Sequence, residues 1–232
     1  MKDVSMKELK NKATEMRMKV VDMIYKAQSG HPGGSLSCLE TLIALYYNVM
    51  DVRPGDPHWE DRDRFIMSKG HCCPALYAVL ADKGYFGKEE LATLRKLGSH
   101  LQGHPDMRKT PGVDANTGSL GQGIAIAMGM ALAAKHAKKD YRVFTLVGDG
   151  ECQEGLVWEA AMSAAHYKLD NLTVIMDHNR LQIDGDNDDV MSLGDIMGKF
   201  AAFGFDTYKV DGHDIDAVTA ALKAPFTPGR PK

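Results

Sequence analysis

Apolar residues recur at intervals of three and four through Leu9, Ala13, Met16, Val20, Met23, Ile24 and Ala27. That spacing predicts an amphipathic helix with one buried face. It stops at Ser29-Gly30-His31-Pro32-Gly33-Gly34, where glycine and proline punctuate the chain. A second helical pattern runs from Leu36 to Met50, and Asp51 to Asp63 is charged and proline-containing, as expected of a surface loop. Phe65-Ile66-Met67-Ser68 predicts a short buried strand, followed by helices from Pro74 to Asp82 and near Glu89. The glycine-punctuated stretch from Gly98 to Asn116 is then a long loop, and loops of that length commonly carry function.

Beyond it the pattern alternates. A glycine- and alanine-rich helix spans Leu120 to Ala137, then come the apolar strand Val143 to Val147, a helix from Gly155 to Tyr167 and the strand Leu172 to Met176. A helix from Ile196 to Phe203, a strand from Asp206 to Val210 and a helix from Ile215 to Ala224 follow. Alternation of strand and helix implies a parallel sheet. The expected fold class is α/β, a parallel β-sheet flanked by helices, with residues 1–232 forming a single domain. The chain closes on a helix and the turn Pro228-Gly229-Arg230-Pro231-Lys232, so the sheet is expected to lack its last strand, which leaves open a truncation at the carboxyl end.

Composition narrows the functions. At 44% hydrophobic and 25% charged residues the chain has the makeup of a globular domain able to bury a core. Lys and Arg number 28 against 31 acids, a net charge of −3, with no basic stripe for nucleic acid. The apolar run Gly123 to Ala134 falls well short of the ~20 residues that span a bilayer, and the polar start holds no signal-peptide core. Cys38, Cys72, Cys73 and Cys152 include no Cys-x-x-Cys, and His71, Cys72 and Cys73 lack zinc-ligand spacing. Reduced thiols and a cytoplasmic location are expected.

The strand Val143 to Val147 runs directly into Gly148-Asp149-Gly150, and Glu151-Cys152-Gln153-Glu154-Gly155 opens the next helix. An aspartate at a strand's carboxyl end stands where open parallel sheets bind ligands, and flanking glycines let backbone amides approach an anion. The helix start adds its favourable dipole end. The strand Leu172 to Met176 ends in Asp177-His178-Asn179, thirty residues beyond Asp149, the length of one βαβ unit. Oxygen ligands on one sheet edge suit a hard divalent cation that also holds two phosphate oxygens. Alone, Gly-Asp-Gly fits a hairpin turn; the spacing and the buried strands favour a ligand site. Gly118-Ser119-Leu120-Gly121-Gln122-Gly123 lacks the dinucleotide-binding spacing, and no Walker Gly-Lys-Ser/Thr occurs.

Three of the nine histidines, His31, His71 and His104, sit in glycine-rich or polar turns. Any one alone reads as a surface histidine. Three in such settings suit hydroxyl recognition and proton transfer near neutral pH.

Gly-Asp-Gly followed by Asn179 resembles the thiamine diphosphate signature, in which asparagine follows after about twenty-five to thirty residues; here His178-Asn179 stands where that family often has Asn-Asn. With Ser29 to Gly34, Ser68 to His71, Gln102 to Pro105 and Thr117 to Gly123 in the same order, nearly the whole chain resembles the amino-terminal region of transketolase. The resemblance implies the diphosphate-binding domain of the thiamine diphosphate-binding fold. It makes Asp149, Asn179 and the backbone carbonyl of Leu181 ligands of Mg²⁺, or of Ca²⁺ or Mn²⁺. Gly150, with Gly148 beside it, would meet the diphosphate, and Ile183 the thiazolium. Gly118 and Leu120, with Ser119 between them, would line the aminopyrimidine, and Glu154 would join an acidic network across a dimer interface. His31 and His104 would contact the donor ketose's terminal hydroxyl, and His71 would support the diphosphate and the substrate.

Transketolase moves a two-carbon ketol unit between sugar phosphates. Its second domain carries the glutamate that activates the aminopyrimidine and the residues that hold substrate phosphate; neither is expected here. Gly118-Ser119-Leu120, with serine where many full-length enzymes have proline, resembles the split, two-chain form. The resemblance therefore implies a complementary carboxyl-terminal subunit, self-association into a two-plus-two assembly and sugar phosphate substrates, with no nucleic acid or membrane partner. The alternatives are a deoxyxylulose phosphate synthase-like chain, the alpha subunit of a 2-oxo acid dehydrogenase, a specialised sulfosugar or branched-sugar transketolase subunit, and a non-catalytic orphan fragment. Gln102-Gly103-His104-Pro105 favours transketolase.

Overall fold

The computed structural model describes residues 4–183 and 185–232. The first elements in chain order are α1 (Met6–Ala27), α2 (Pro32–Ser37), α3 (Leu39–Ala44), β1 (Arg64–Met67), α4 (Cys73–Lys83), α5 (Gln122–His136) and β2 (Val143–Gly148). Then come α6 (Gly155–His166), β3 (Leu172–Asp177), β4 (Leu181–Gln182), β5 (Gly185–Asp186), α7 (Asn187–Met191), α8 (Ile196–Phe203) and α9 (Ile215–Lys223). They form two compact units, one of residues up to 62, 70–118 and 210–224, the other of 63–69, 119–209 and 225–232.

The first unit is helical. On α1, Leu9, Ala13, Met16, Val20 and Met23 are buried, the stripe that the periodicity predicts. Ser5 caps its first turn, its hydroxyl accepting from the Glu8 amide. This stripe packs on α3, α4 and α9. Every residue of α4 from Cys73 to Ala81 is buried, so α4 is the rod at the unit's centre. The single helix expected from Leu36 to Met50 is instead broken. Cys38 leaves helical geometry at φ −108° and ψ 7°. After α3 the chain widens into a π-helical turn over Leu45–Val49, closed by the Met50 amide on the Leu45 carbonyl at 2.8 Å. All of 38–50 is buried, so packing on every side outweighs the straight-helix preference there. The helix expected near Glu89 is a 3₁₀ turn, Lys88–Thr93.

The second unit holds a parallel three-stranded sheet in the order β1-β2-β3. Phe65, Ile66, Met67, Val143, Phe144, Leu146, Val147 and Leu172 are buried, as strands covered on both faces require. Against β2 lies α5, which also packs on α6. Gly123 makes this close: a Cβ there would come within 2.6 Å of the Ser68 Cα. The register sets Gly148 beside Asp177, so β2 and β3 end level at one edge.

The strand expected from Asp206 to Val210 is not formed. The outer edge of β3 is taken by the chain's last residue: the Lys232 amide donates to the Leu172 carbonyl at 3.0 Å, and the Val174 amide to the Lys232 carbonyl at 2.6 Å. Asp206 reaches Pro231 by one amide bond at 2.9 Å, with no ladder along 206–210. Among the described residues no helix is long and apolar enough to cross a membrane.

Candidate cofactor site

In the second unit Asp149 directly follows β2 and is 1% exposed. Its amide donates to the Asp177 carbonyl at 3.2 Å, extending the β2–β3 pairing by one residue. One carboxylate oxygen accepts from the Gly150 amide at 2.8 Å and the other from the Arg180 amide at 2.6 Å. The second bond draws the loop after β3 onto the turn after β2, which places Asn179 next to Asp149's partner. Asn179 accepts from the Leu181 amide at 2.9 Å through Oδ1 and donates to Asp177 Oδ2 at 3.3 Å. Lys69, buried at the end of β1, ion-pairs with Asp177. Asp149, Gly150, Asn179 and Leu181 are thus brought together by backbone bonds. The aliphatic Leu181 and Ile183 point outward, 65% and 96% exposed, and Leu120 is 37% exposed.

Sequence reasoning passed over Glu151, the best-connected side chain of this edge. One of its oxygens takes the Ser68 hydroxyl and the Gly121 amide at 2.9 Å; the other accepts from the Gly148 amide at 3.0 Å. A single buried carboxylate therefore joins the ends of β1 and β2 to the turn that carries Ser119 and Leu120. Burial pushes its carboxyl above the ordinary carboxylate range, against the hydrogen bonds that favour the ionised form. The Gly148 amide is committed to Glu151, whereas Glu154 stands exposed at the start of α6 with its Cβ 3.0 Å from where a Gly121 side chain would begin.

The surroundings of this edge fit an anionic ligand. Asn187 is buried, its Oδ1 accepts from Gln182 at 2.8 Å and lies 3.5 Å from where a Gly150 side chain would begin, and its side-chain nitrogen has no hydrogen-bond partner. An orphaned buried donor beside a glycine turn suits phosphate oxygens. Among the described residues no three His, Cys, Asp or Glu side chains cluster as a metal site. One carboxylate, one amide and a backbone carbonyl, completed by ligand oxygens, suit a hard cation and not zinc.

The three singled-out histidines and Gly118 lie in the other unit. The His31 and His71 rings meet edge to face at 5.0 Å. His71 belongs to the tight turn Gly70–Cys72, where Gly70 is pressed so closely on Thr117 and Gly118 that a Cβ would lie 2.9 Å from the Gly118 amide nitrogen. Gly118, at φ +142°, lies against the His104 ring, 2.9 Å from where its own Cβ would be. The His104 turn is held by its main chain: the Tyr77 hydroxyl donates to the carbonyls of Gln102 and His104 at 3.0 and 3.2 Å, and the Cys73 thiol to that of Gly103 at 3.2 Å. Burial, then the charge of Arg95, holds both His31 and His104 below the ordinary histidine range. Both are neutral imidazoles near pH 7.

Residues 9–231 match the family described as transketolase, thiamine diphosphate binding domain. The chain belongs to the transketolase family. Among curated transketolase relatives, a protein of Phocaeicola vulgatus named as a subunit of apulose-4-phosphate transketolase is 47% identical over 208 residues, covering 90% of this chain and 74% of that protein. The 6-deoxy-6-sulfo-D-fructose transketolase subunit SqwG of a Clostridium species is 45% identical, over 93% of this chain and 78% of its own length. Of solved structures, transketolase from Leishmania mexicana superposes with a TM-score of 0.92 at 35% identity, over 99% of this chain and 36% of that one. The parallel sheet flanked by helices is the fold these transketolases share.

Proposed function

We propose that residues 1–232 act as one diphosphate-binding domain, the amino-terminal half of a two-chain transketolase that moves a two-carbon ketol unit between sugar phosphates. The observation that carries this reading is the exposure of Leu181 and Ile183, 65% and 96%, on a loop that Asp149 pins through the Arg180 amide. Aliphatic side chains held out from an ordered turn gain nothing until a cofactor ring or a second chain covers them. Similarity to relatives named as transketolase subunits supports the two-chain form.

Asp149, Asn179 and the Leu181 carbonyl hold Mg²⁺, and the Gly150 amide faces the diphosphate. Thiamine diphosphate, when bound, supplies the carbanion chemistry. The Gly118–Leu120 turn lines its pyrimidine. His31 and His104, neutral near pH 7, accept hydrogen bonds from the ketose hydroxyls and take up protons there; His71 braces His31 from its edge. Glu154, exposed at the head of α6, faces a partner copy.

The test is to purify the chain alone and with its complementary chain, and to measure ketol transfer at saturating thiamine diphosphate and Mg²⁺. Turnover is expected only in the mixture. Robust turnover by the chain alone, with no second polypeptide detectable by mass spectrometry, overturns the two-chain reading. Sulfosugar and apulose phosphate donors, tried beside xylulose 5-phosphate, identify the substrate class.

A further inference from the structure

Arg95, in the first unit, combines three features. Its backbone is left-handed, φ +59°, a conformation side-chain-bearing residues seldom adopt, and its amide is fixed on the Leu101 carbonyl at 2.9 Å. Its guanidinium spans two turns: Nη1 donates to the Ser29 hydroxyl at 2.8 Å, and the opposite side lies against Gly103, where a Cβ would come within 3.0 Å of Cζ. Its Nε is buried without a hydrogen-bond partner.

The two turns it spans are those of His31 and His104. We propose that Arg95 is a positioning residue, its guanidinium locking the Ser29–His31 turn to the Gly103–His104 turn so that the two imidazoles face substrate as one fixed pair. This rests on the reading of His31 and His104 as substrate-facing groups. The absence of a side chain at Gly103 is part of the device, because a Cβ there would make the guanidinium give way by a few tenths of an ångström. The charge acts in the same direction as the geometry: it disfavours imidazolium at both histidines and so preserves acceptors. The other titratable groups that act on the pair are the histidines themselves, His31 upon His104, with the His71 ring at the edge of His31.

Three variants test this in the full chain. Arg95→Gln removes charge and fork, Gly103→Ala displaces the fork and keeps the charge, and Ser29→Ala removes one anchor. Histidine ring signals of the purified chain, assigned with His31→Gln and His104→Gln, are followed by NMR against pH, and turnover is measured in the assembled two-chain enzyme. Arg95→Gln is expected to raise the titration points of both His31 and His104 and to lower turnover about ten- to a hundredfold with cofactor affinity unchanged. Gly103→Ala is expected to lower turnover with smaller titration changes. Titrations of both histidines unmoved by Arg95→Gln overturn the proposal, whatever the turnover; if that variant does not fold, unmoved ring signals and unchanged turnover in both Gly103→Ala and Ser29→Ala overturn it equally. Full turnover by His31→Gln and His104→Gln sinks the substrate-facing reading alone, since the ring titrations still decide whether Arg95 holds the pair.

Discussion

Replacing Glu151 by alanine deletes the acceptor of three donors at once: the Ser68 hydroxyl and the amides of Gly121 and Gly148. Each donor left buried without a partner costs ~1–3 kcal/mol, offset in part by removal of a carboxylate that burial disfavours, so the net loss is about 3 kcal/mol. Glu151→Gln keeps the shape and one acceptor oxygen, and is expected to cost about half as much. For a chain of this size, 3 kcal/mol corresponds to a fall in Tm of roughly 6–12 °C. The assay is urea unfolding of the purified chain, followed by circular dichroism, with heat denaturation as a second probe. The order wild type, Gln, Ala is expected, with Cm falling and the slope m unchanged. An alanine variant within about 1 kcal/mol of wild type, or a Gln variant less stable than Ala, would refute the reasoning, because it would show that the three donors are satisfied without the carboxylate.

Gly123→Ala sets a Cβ 2.6 Å from the Ser68 Cα, so despite the better helix propensity of alanine it should destabilise by about 1–2 kcal/mol, read by the same melts. Asp149→Asn keeps one acceptor oxygen, enough for the Arg180 or the Gly150 amide but not both, and loses the charge; calorimetry on the assembled enzyme should show cofactor affinity with Mg²⁺ lowered tenfold or more. Alanine at His31 or His104 should lower turnover while leaving Tm within a few degrees, since both rings stand on exposed turns. Because both histidines lie below their ordinary value of 6.5, the acid-side fall of kcat should be centred below that value in a pH–rate series on the assembled enzyme, and a midpoint at or above it would count against the assignment.

The strands were legible because a parallel strand covered on both faces is apolar nearly throughout, and Val143 to Val147 is interrupted only by Thr145, whose buried hydroxyl donates to the Ile66 carbonyl at 3.2 Å. The α1 stripe was legible for the complementary reason, one buried face and one wet. The break at Cys38 was not, since in a wholly buried stretch the apolar pattern carries no phase to mark where a helix stops. Asp206 to Val210 has a strand's composition, but a strand needs a partner edge, and that is a property of the neighbours. That the turns of Asp149 and Asn179 meet at one sheet edge was legible from their spacing. The part played by Glu151 was not, although it sits two residues from Asp149: its importance lies in three partners, two of them distant along the chain, Gly121 at 30 residues and Ser68 at 83. Arg95 left no trace in the sequence, because nothing marks a non-glycine residue destined for the left-handed region.

Tyr77 and Cys73 hold the His104 turn by its carbonyls, not by its side chains. Main-chain anchoring of this kind separates the course of the loop from its vocabulary. A change of side chain at 102 leaves the turn on the same path, because a hydroxyl on a neighbouring helix reads only C=O groups that every amino acid supplies, and His104 is needed for its ring and not for the course of the loop. Gly103 alone is spelled by its surroundings. A turn built in this way can change what it shows at 102 with the architecture that presents His104 left standing.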